Sequence, residues 1–169
     1  MEHYDLIVIG GGPSGYAGAM RALDFKKKVL LIEKKRIGGA GVYDGVLTSK
    51  TLWELSQKVS SIREMIPDYQ VDYSNIVSTL KEAVFERKTQ MTVHLNLLQK
   101  QQANLFSYDK GTAYFVDKNT IEIKKEDGSV RRVSADNILI ATGSRPRYLP
   151  HIAIDEQIIM TSDGVKNLT

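Results

Sequence analysis

Short apolar runs alternate with turn-forming residues over the first part of the chain. Residues 4–9 form a short run in which residues 6–9 are all apolar, which is typical of a strand buried on both faces. Three glycines follow, and residues 16–25, rich in alanine, predict a helix. A second apolar run, residues 29–32, ends at Glu33. This order of strand, glycine turn, helix and strand within about 30 residues predicts a βαβ unit.

Helical periodicity dominates the middle of the chain. After a glycine-rich loop over residues 34–45, the apolar spacing predicts one helix over residues 46–64 and a longer one over residues 75–101. Asp72 and Ser74 are the predicted N-caps of the longer helix. Its apolar stripe consists of Ile76, Leu80, Val84, Met91, Leu95 and Leu98.

The last third predicts strands again. Three short runs separated by turn residues, at 112–116, 120–124 and 129–133, indicate an antiparallel meander of about 111–134. A further buried run at 137–141 predicts the last parallel strand. The fold class is therefore α/β: a Rossmann-like parallel sheet with helices on both faces, right-handed connections and an inserted three-stranded meander.

Composition narrows the chemistry. The 169 residues suit one domain and include no cysteine, which excludes disulfides, thiolate metal sites and a thiol nucleophile within the chain. The net charge of +3 is a mild excess, and no basic–aromatic pattern supports nucleic-acid binding. No apolar run has the length of a signal peptide or a membrane span, so we expect a cytoplasmic protein without membrane contact.

Several conspicuous residues receive structural interpretations. His3, His94 and His151 lack metal-ligand spacing, so no metal site is predicted. We interpret Trp53, with Leu52 and Leu55, as core. Lysine and arginine clusters beside the second strand, at 26–28 and 34–36, are interpreted as a solvated rim, and Arg131-Arg132 as an exposed strand end.

The glycine turn carries the first candidate chemistry. In Gly10-x-Gly12-x-x-Gly15, the first glycine permits the tight turn, the second lets a pyrophosphate approach, and the third lets the helix pack on the strand. Glu33, at the end of the second strand, can accept hydrogen bonds from ribose hydroxyls, and its charge disfavours a 2′-phosphate. This pattern does not distinguish FAD from NAD, and a purely structural turn is the alternative.

Residues 38–50, Gly-Gly-Ala-Gly-Val-Tyr-Asp-Gly-Val-Leu-Thr-Ser-Lys, resemble the redox segment of the class I pyridine nucleotide-disulfide oxidoreductases. This family includes dihydrolipoamide dehydrogenase, glutathione reductase, mercuric reductase and the soluble pyridine nucleotide transhydrogenases. Gly39, Gly45, Ser49 and Lys50 match its pattern. Gly41 and Val46 stand at the two cysteine positions, and Thr48 replaces the proline of the family.

Three later motifs extend the resemblance along the chain. Residues 141–143 are similar to the second flavin motif, 111–113 to the adenine-contacting turn, and 161–163 to the linker into the NAD domain. The resemblance implies FAD as cofactor. The implied binding residues are Gly10, Gly12, Pro13, Ser14, Gly15, Glu33, Lys34, Gly39, Ala40, Gly41, Gly45, Lys50, Thr112, Ala113, Ala141, Thr142 and Gly143.

The resemblance also implies an activity. Without the cysteine pair, we expect a FAD-dependent NAD(P)H oxidoreductase that passes electrons through flavin alone. Lys50 is the implied catalytic residue, near flavin N5, where a cation stabilises negative charge on reduced flavin. The implied partners are a nicotinamide cofactor, an unidentified electron acceptor and a second copy in a homodimer.

The resemblance further implies the domain organisation. Residues 1–150 are expected to be the N-terminal segment of an FAD-binding domain, and 151–169 a linker toward an NAD-binding domain. The chain then resembles a piece of a longer enzyme that lacks the NAD and dimerisation domains and is inactive alone. Two alternatives stay open: a redox-inactive homologue that keeps FAD as a structural or regulatory ligand, and an NAD-binding module without flavin.

Overall fold

A computed structural model describes residues 1–164, so the last five residues of the predicted 151–169 linker lie outside the described residues. The chain divides into two compact units. The first comprises Met1–Gly39 and Gln90–Gly143, and the second comprises Ala40–Thr89 and the residues from Ser144 onward. The elements are β1 (Glu2–Ile9), α1 (Pro13–Asp24), β2 (Val29–Glu33), α2 (Gly39–Tyr43), α3 (Val46–Met65), α4 (Tyr73–Gln101), β3 (Phe106–Lys110), β4 (Thr112–Phe115), β5 (Thr120–Lys124) and β6 (Val130–Ile140).

The first unit contains a six-stranded mixed sheet in the order β3-β2-β1-β6-β5-β4. Strands β3, β2, β1 and β6 are parallel, and β5 and β4 continue the sheet antiparallel. The predicted α/β class, with a parallel Rossmann-like core and antiparallel strands, is confirmed. Strand β3 was not predicted, because its sequence Phe-Ser-Tyr-Asp-Lys is mostly polar, as an edge strand can be.

Strand β6 differs from the prediction. The expected third meander strand and the expected last parallel strand form one strand of 11 residues. Its first half pairs with β5, while Val133 to Ile140 pair with β1. The polar residues Ser134 and Asp136 suggested a break, but both hydrogen-bond to the ring of His3, and Ala135 between them is buried. These polar residues therefore contact the neighbouring strand β1 and do not end the strand.

The two faces of the parallel core are covered differently. A Cβ at Gly15 of α1 would lie 3.1 Å from Val8 Cγ1, so this helix packs on the face that carries Val8 and its neighbour Leu139. The opposite face forms the main apolar cluster, in which Ile7, Leu30 and Ile32 meet side chains from the antiparallel strands: Ile121, Ile123, Val133 and Ala135. In this unit the second face thus packs with side chains of the antiparallel strands.

The start of α4 follows the predicted capping. The backbone N–H of Ser74 donates to Asp72 Oδ1 over 2.9 Å, and its hydroxyl donates to the same oxygen over 2.6 Å. These bonds lower the pKa of the Asp72 carboxyl below its ordinary value, the hydroxyl bond most. Asp72 is therefore the cap, and Ser74 lies inside the helix. None of the described helices combines the length and apolar character of a membrane span.

The core assignment of Trp53 is wrong, since 67% of the residue is exposed. The less exposed stripe of α3 runs through Thr48, Leu52, Leu55 and Val59. Trp53 follows Leu52 directly and is therefore rotated by about 100° around the helix axis from that stripe. Periodicity identified the helix correctly but did not assign its largest side chain to the right face.

Arg131 corrects a second interpretation, because it is not a free strand end. Its guanidinium donates to Asp109 Oδ2 and to Glu2 Oε2, with both donor–acceptor distances 2.5 Å. It also donates to the hydroxyl of Tyr4 at a distance of 2.8 Å. Only 32% of the side chain is exposed. Arg132, by contrast, is exposed and bonds Glu122 on the neighbouring strand. Arg131 therefore links β6 to β1 and β3.

Candidate cofactor-binding site

The turn between β1 and α1 requires glycine for steric reasons. Gly10 has a φ of 108°, and a Cβ there would overlap the carbonyl of Ala141. A Cβ at Gly15 would overlap the carbonyl oxygen of Gly10. Both obstacles are backbone atoms, which cannot move aside as a flexible side chain can. The first and third glycines of the motif are therefore fixed by the packing of the turn itself, as predicted from the sequence.

Gly12 differs from its two neighbours in the motif. A Cβ at this position would meet no atom within 4 Å, and its φ of −73° suits any residue. It is the N-cap of α1, followed by Pro13 at the first helical position, and no side chain caps the helix. The first intrahelical bond is from Tyr16 N–H to the Gly12 carbonyl over 2.9 Å, so the N–H groups of Ser14 and Gly15 have no intrahelical acceptor. Open space, helix dipole and unused donors together suit a phosphate group.

Glu33 anchors the turn from the side of β2. The residue is only 8% exposed, and each of its carboxylate oxygens accepts a backbone hydrogen bond. Gly11 N–H donates to Oε2 and Lys35 N–H donates to Oε1, each at a donor–acceptor distance of 2.7 Å. A carboxylate oxygen can accept a second bond, so Glu33 keeps capacity for a ribose hydroxyl. Lys34, the next predicted residue, is exposed just beyond the strand.

The loop after β2 lies against the same turn. Gly38 N–H donates to the Gly11 carbonyl over 2.7 Å, and Gly39 has a φ of 49°. A Cβ on Gly39 would lie 3.2 Å from Gly12 Cα. This contact places the predicted residue Gly39 beside the open side of the glycine turn.

Two further predicted segments of the first unit reach this end of the sheet. Ala141 N–H donates to the Ile9 carbonyl over 2.8 Å, so Ala141, Thr142 and Gly143 continue β6 directly beside Gly10. Gly111 N–H donates to the carbonyl of Glu33 over 3.0 Å, and Thr112 and Ala113 follow on β4. The structure therefore brings the adenine-contacting turn and the second flavin motif, both predicted from the sequence, to the same end of the sheet as the glycine turn.

The second unit holds the rest of the predicted site. Ala40 and Gly41 lie in the short helix α2, within the segment predicted as a loop. Gly45, with a φ of 101°, is the N-cap of α3, and a Cβ there would lie 3.0 Å from the Cβ of Ser162 in the predicted linker motif. Val46, at the second cysteine position, is 49% exposed. Lys50 is also exposed and lies on the first turns of α3.

Sequence reasoning missed two features of the turn. Gly11 also has little room for a side chain, since a Cβ would lie 2.7 Å from Ile37 Cδ1, and its N–H donates to Glu33. The three consecutive glycines were the available signal. The contact between Tyr16 of α1 and His94 of α4 was also missed: the two side chains are hydrogen-bonded, and their ring centroids lie 5.9 Å apart. No group of three or more potential metal ligands occurs within residues 1–164.

Comparisons with known proteins agree with this geometry. The family profile described as pyridine nucleotide-disulphide oxidoreductase matches residues 4–167. The mitochondrial dihydrolipoyl dehydrogenase of Caenorhabditis elegans is 36% identical over 167 residues, which are 97% of this chain and 33% of that protein. The soluble pyridine nucleotide transhydrogenase of Vibrio cholerae is 33% identical over 172 residues, covering 99% of this chain and 36% of the relative.

Solved structures show the same fold. LpdA from Mycobacterium tuberculosis superimposes with a TM-score of 0.80 at 24% identity, over 99% of this chain and 37% of that one. The flavoprotein disulfide reductase RclA from Escherichia coli gives a TM-score of 0.74 at 20% identity, over 99% of this chain and 35% of that one. The chain spans about a third of the length of the curated relatives it matches. On the profile match and these relatives, the chain belongs to the pyridine nucleotide-disulphide oxidoreductase family.

Proposed function

We propose that this chain is the FAD-binding part of a flavin-dependent NAD(P)H oxidoreductase that works without a redox-active disulfide. The observation that carries the proposal is the glycine turn: Gly12 faces open space, first-turn amides lack intrahelical acceptors, and Glu33 sits buried at the end of β2. These features fit a dinucleotide whose pyrophosphate lies on the helix N-terminus and whose ribose bonds the acidic residue.

In this proposal, each group of residues binds a different part of FAD. Gly10, Gly12, Pro13, Ser14 and Gly15 bind the pyrophosphate. Glu33 accepts from the ribose, with Lys34 beside it, and Thr112 and Ala113 contact adenine through β4. Gly39, Ala40, Gly41 and Gly45 line the path toward the flavin, and Ala141, Thr142 and Gly143 close over the cofactor.

The absence of cysteine supports electron transfer through flavin alone. Bound FAD supplies a group that can take a hydride from a nicotinamide and release electrons one or two at a time. Gly41 and Val46 have no thiols, so they cannot relay those electrons to a disulfide substrate. Lys50 provides a positive charge that favours the anionic reduced flavin. The acceptor, the nicotinamide site and the homodimer belong to the whole protein, for which we propose the cytoplasm as location.

FAD titration of the chain tests the binding site. We expect quenching of free-flavin fluorescence on binding, and loss of that quenching in Gly12→Val. In that variant the new side chain fits the fold but blocks the approach of the pyrophosphate. Retained folding, followed by far-UV circular dichroism, is the control. A wild-type chain that leaves flavin fluorescence unchanged at high protein concentration would contradict the proposal and favour a structural glycine turn or an NAD-binding module.

Loss of both cysteines also favours a second function, a redox-inactive homologue that keeps FAD as a structural or regulatory ligand. Stopped-flow mixing of the FAD-loaded full-length protein with NADH or NADPH separates the two functions. Bleaching of the flavin band within the mixing experiment supports the oxidoreductase. A band that persists while FAD stays bound supports the redox-inactive homologue.

A further inference from the structure

The β3–β4 corner, residues 109–112, connects the two edge strands of the sheet. Among the described strands, β3 pairs with β2 alone and β4 with β5 alone, yet only Gly111 separates β3 from β4 in the chain. Gly111 N–H donates to the carbonyl of Glu33 on β2, and a Cβ on Gly111 would lie 2.9 Å from the carbonyl oxygen of Lys124 on β5. The corner therefore lies between two strands of a curled sheet and sets where β4 begins relative to Glu33.

Asp109 connects this corner to the centre of the sheet. Its side chain is only 12% exposed and lies on the face of the main apolar cluster, because Asp109 is in register with Ile32. Oδ2 accepts from Arg131 of β6, and Oδ1 lies 3.7 Å from Nζ of Lys125, in the turn between β5 and β6. Arg131 also donates to the hydroxyl of Tyr4 on the central strand β1. Asp109 thus relates the end of β3 to three other strands.

The charge of Asp109 is needed for this arrangement. A carboxylate that has lost most of its water is unfavourable unless opposite charges and hydrogen bonds compensate, and Arg131 and Lys125 supply both. Without the Asp109 charge, the guanidinium of Arg131 would keep Glu2 as its ionised partner, and Lys125 would lose its partner in the cluster. The corner would then keep its backbone bond to Glu33 but lose its partly buried attachment to β6.

Strand β4 begins directly after the corner with Thr112 and Ala113, the residues proposed to contact adenine. Because β4 is an edge strand, backbone N–H and C=O groups on its outer side face no further strand of the described sheet. Adenine carries an amino donor and ring-nitrogen acceptors, which such groups can bond. Hydrogen bonds weaken steeply when their geometry is poor, so contact with the base depends on where the corner places β4.

We infer that Asp109 is a positioning residue for adenine: its ion pairs with Arg131 and Lys125 hold the β3–β4 corner where Thr112 and Ala113 can bond the adenine of FAD. This inference rests on the proposed function, since it takes FAD as the cofactor. The effect of Asp109 is confined to the base, because the pyrophosphate binds at the glycine turn.

The dissociation constants of ADP and UDP, measured by displacement of bound FAD, test this role. The two nucleotides share ribose and pyrophosphate and differ only in the base, and wild type should bind ADP more tightly. Asp109→Asn keeps the shape and removes the charge. It should weaken ADP binding about 2- to 10-fold, the effect of losing one ordinary hydrogen bond, and leave UDP binding unchanged. A general loss of stability would weaken both nucleotides alike, so the ratio of the two constants reports positioning.

Glu126→Gln is the matched control, because it removes the exposed ion pair that Lys110 of the same corner makes with the β5–β6 turn. Its ratio should equal that of wild type, and a fall as large as in Asp109→Asn would overturn the inference. Lys125→Met removes only the longer ion pair of Asp109 and should lower the ratio about 2-fold.

The remaining outcomes separate the inference from the proposed function. An unchanged ratio in Asp109→Asn, or in Lys125→Met should Asp109→Asn not fold, would overturn the role of Asp109 and leave the proposed function intact. A wild-type chain that binds FAD but prefers neither nucleotide would do the same. Failure of wild type to bind FAD would refute both.

Discussion

Helices α1 and α3 both begin at a glycine N-cap without a side-chain cap, yet their surroundings differ. Around α1, backbone atoms leave no room for a Cβ at Gly10 or Gly15, and the buried carboxylate of Glu33 fixes the turn. At the start of α3, Thr48 is buried without a partner and Lys50 is exposed. Both starts contain a glycine with little room for a Cβ, at Gly10 and at Gly45, but only the α1 turn is also held by a buried carboxylate.

The difference between the two helix starts indicates which positions of the chain can be substituted without loss of the fold. A residue held by neighbouring backbone cannot be replaced without moving the chain, so the α1 turn keeps its motif even though the redox residues are gone. Val46 is 49% exposed, so packing does not fix the residue at this position, and under the proposed function the missing thiols at positions 41 and 46 change electron transfer. Four predictions test this contrast, from the largest expected effect to the smallest.

Gly15→Ala should destabilise the first unit by about 3 kcal/mol, because the new methyl group overlaps the carbonyl oxygen of Gly10. Urea denaturation followed by circular dichroism measures the change. Gly12→Ala is the control, since its methyl group meets nothing within 4 Å. Equal stability of the two variants would contradict the view that backbone packing fixes the third glycine.

Glu33→Gln should lower the free energy of unfolding by about 1–3 kcal/mol. The carboxylate accepts from two backbone N–H groups, whereas an amide has one oxygen and leaves one buried donor without an acceptor. The same urea measurement applies. Glu126→Gln is the matched control: it removes an exposed ion pair with Lys110, 2.9 Å long, and should cost less than about 1 kcal/mol. A loss no larger than that of the control would show that Glu33 does not support the turn.

Lys50→Met should lower the midpoint potential of bound FAD by about 5–20 mV, since an exposed cation contributes at most about 1 kcal/mol to reduced flavin. Spectroelectrochemistry of the FAD-loaded protein measures the potential. Lys58→Met, an exposed lysine further along α3, should leave it unchanged. Equal shifts in the two variants would assign the effect to net charge and not to the position of Lys50.

The smallest expected effect is on the stability of the protein at low pH. Backbone N–H bonds lower the pKa of Asp117 in the first unit and of Asp155 in the second, from Asn119 and Gln157 foremost. A carboxylate with a lowered folded pKa stabilises the protein above the ordinary value of 3.8 and loses this contribution as the pH falls below it. Melting temperatures of Asp117→Asn and Asp155→Asn should therefore approach that of wild type on acidification. A constant gap between variant and wild type at all pH values would contradict this.

The sequence predicted the parts of the fold that depend on local pattern. The βαβ unit and the three longer helices all appear, and Asp72 caps α4 as expected. Strand β3 was missed because an edge strand can carry polar residues, and β6 was divided in two because its polar positions bond the distant His3. Both errors come from long-range pairing, which no local pattern encodes.

The candidate site divides in the same way. Glycine spacing predicted Gly10 and Gly15, where the structure leaves no room for a Cβ, because the motif reflects close approach of backbone segments. The partner of Gly11 and the isolation of the Thr48 hydroxyl depend on which groups meet in three dimensions. A sequence indicates that Thr48 replaces proline but not that its hydroxyl is buried without a bond.

The central position of β1 in the sheet affects how the protein folds while it is being synthesised. Its second neighbour, β6, is synthesised much later; His3 and Ser134, which are hydrogen-bonded, are separated by 131 residues. Until β6 emerges, one edge of β1 has no strand partner, although its residues Ile7 and Val8 belong to the finished core. An exposed apolar edge of this kind readily pairs with other chains. Nascent polypeptides that stop before β6 should therefore be prone to aggregation and should depend on chaperones, whereas those that include it close the sheet.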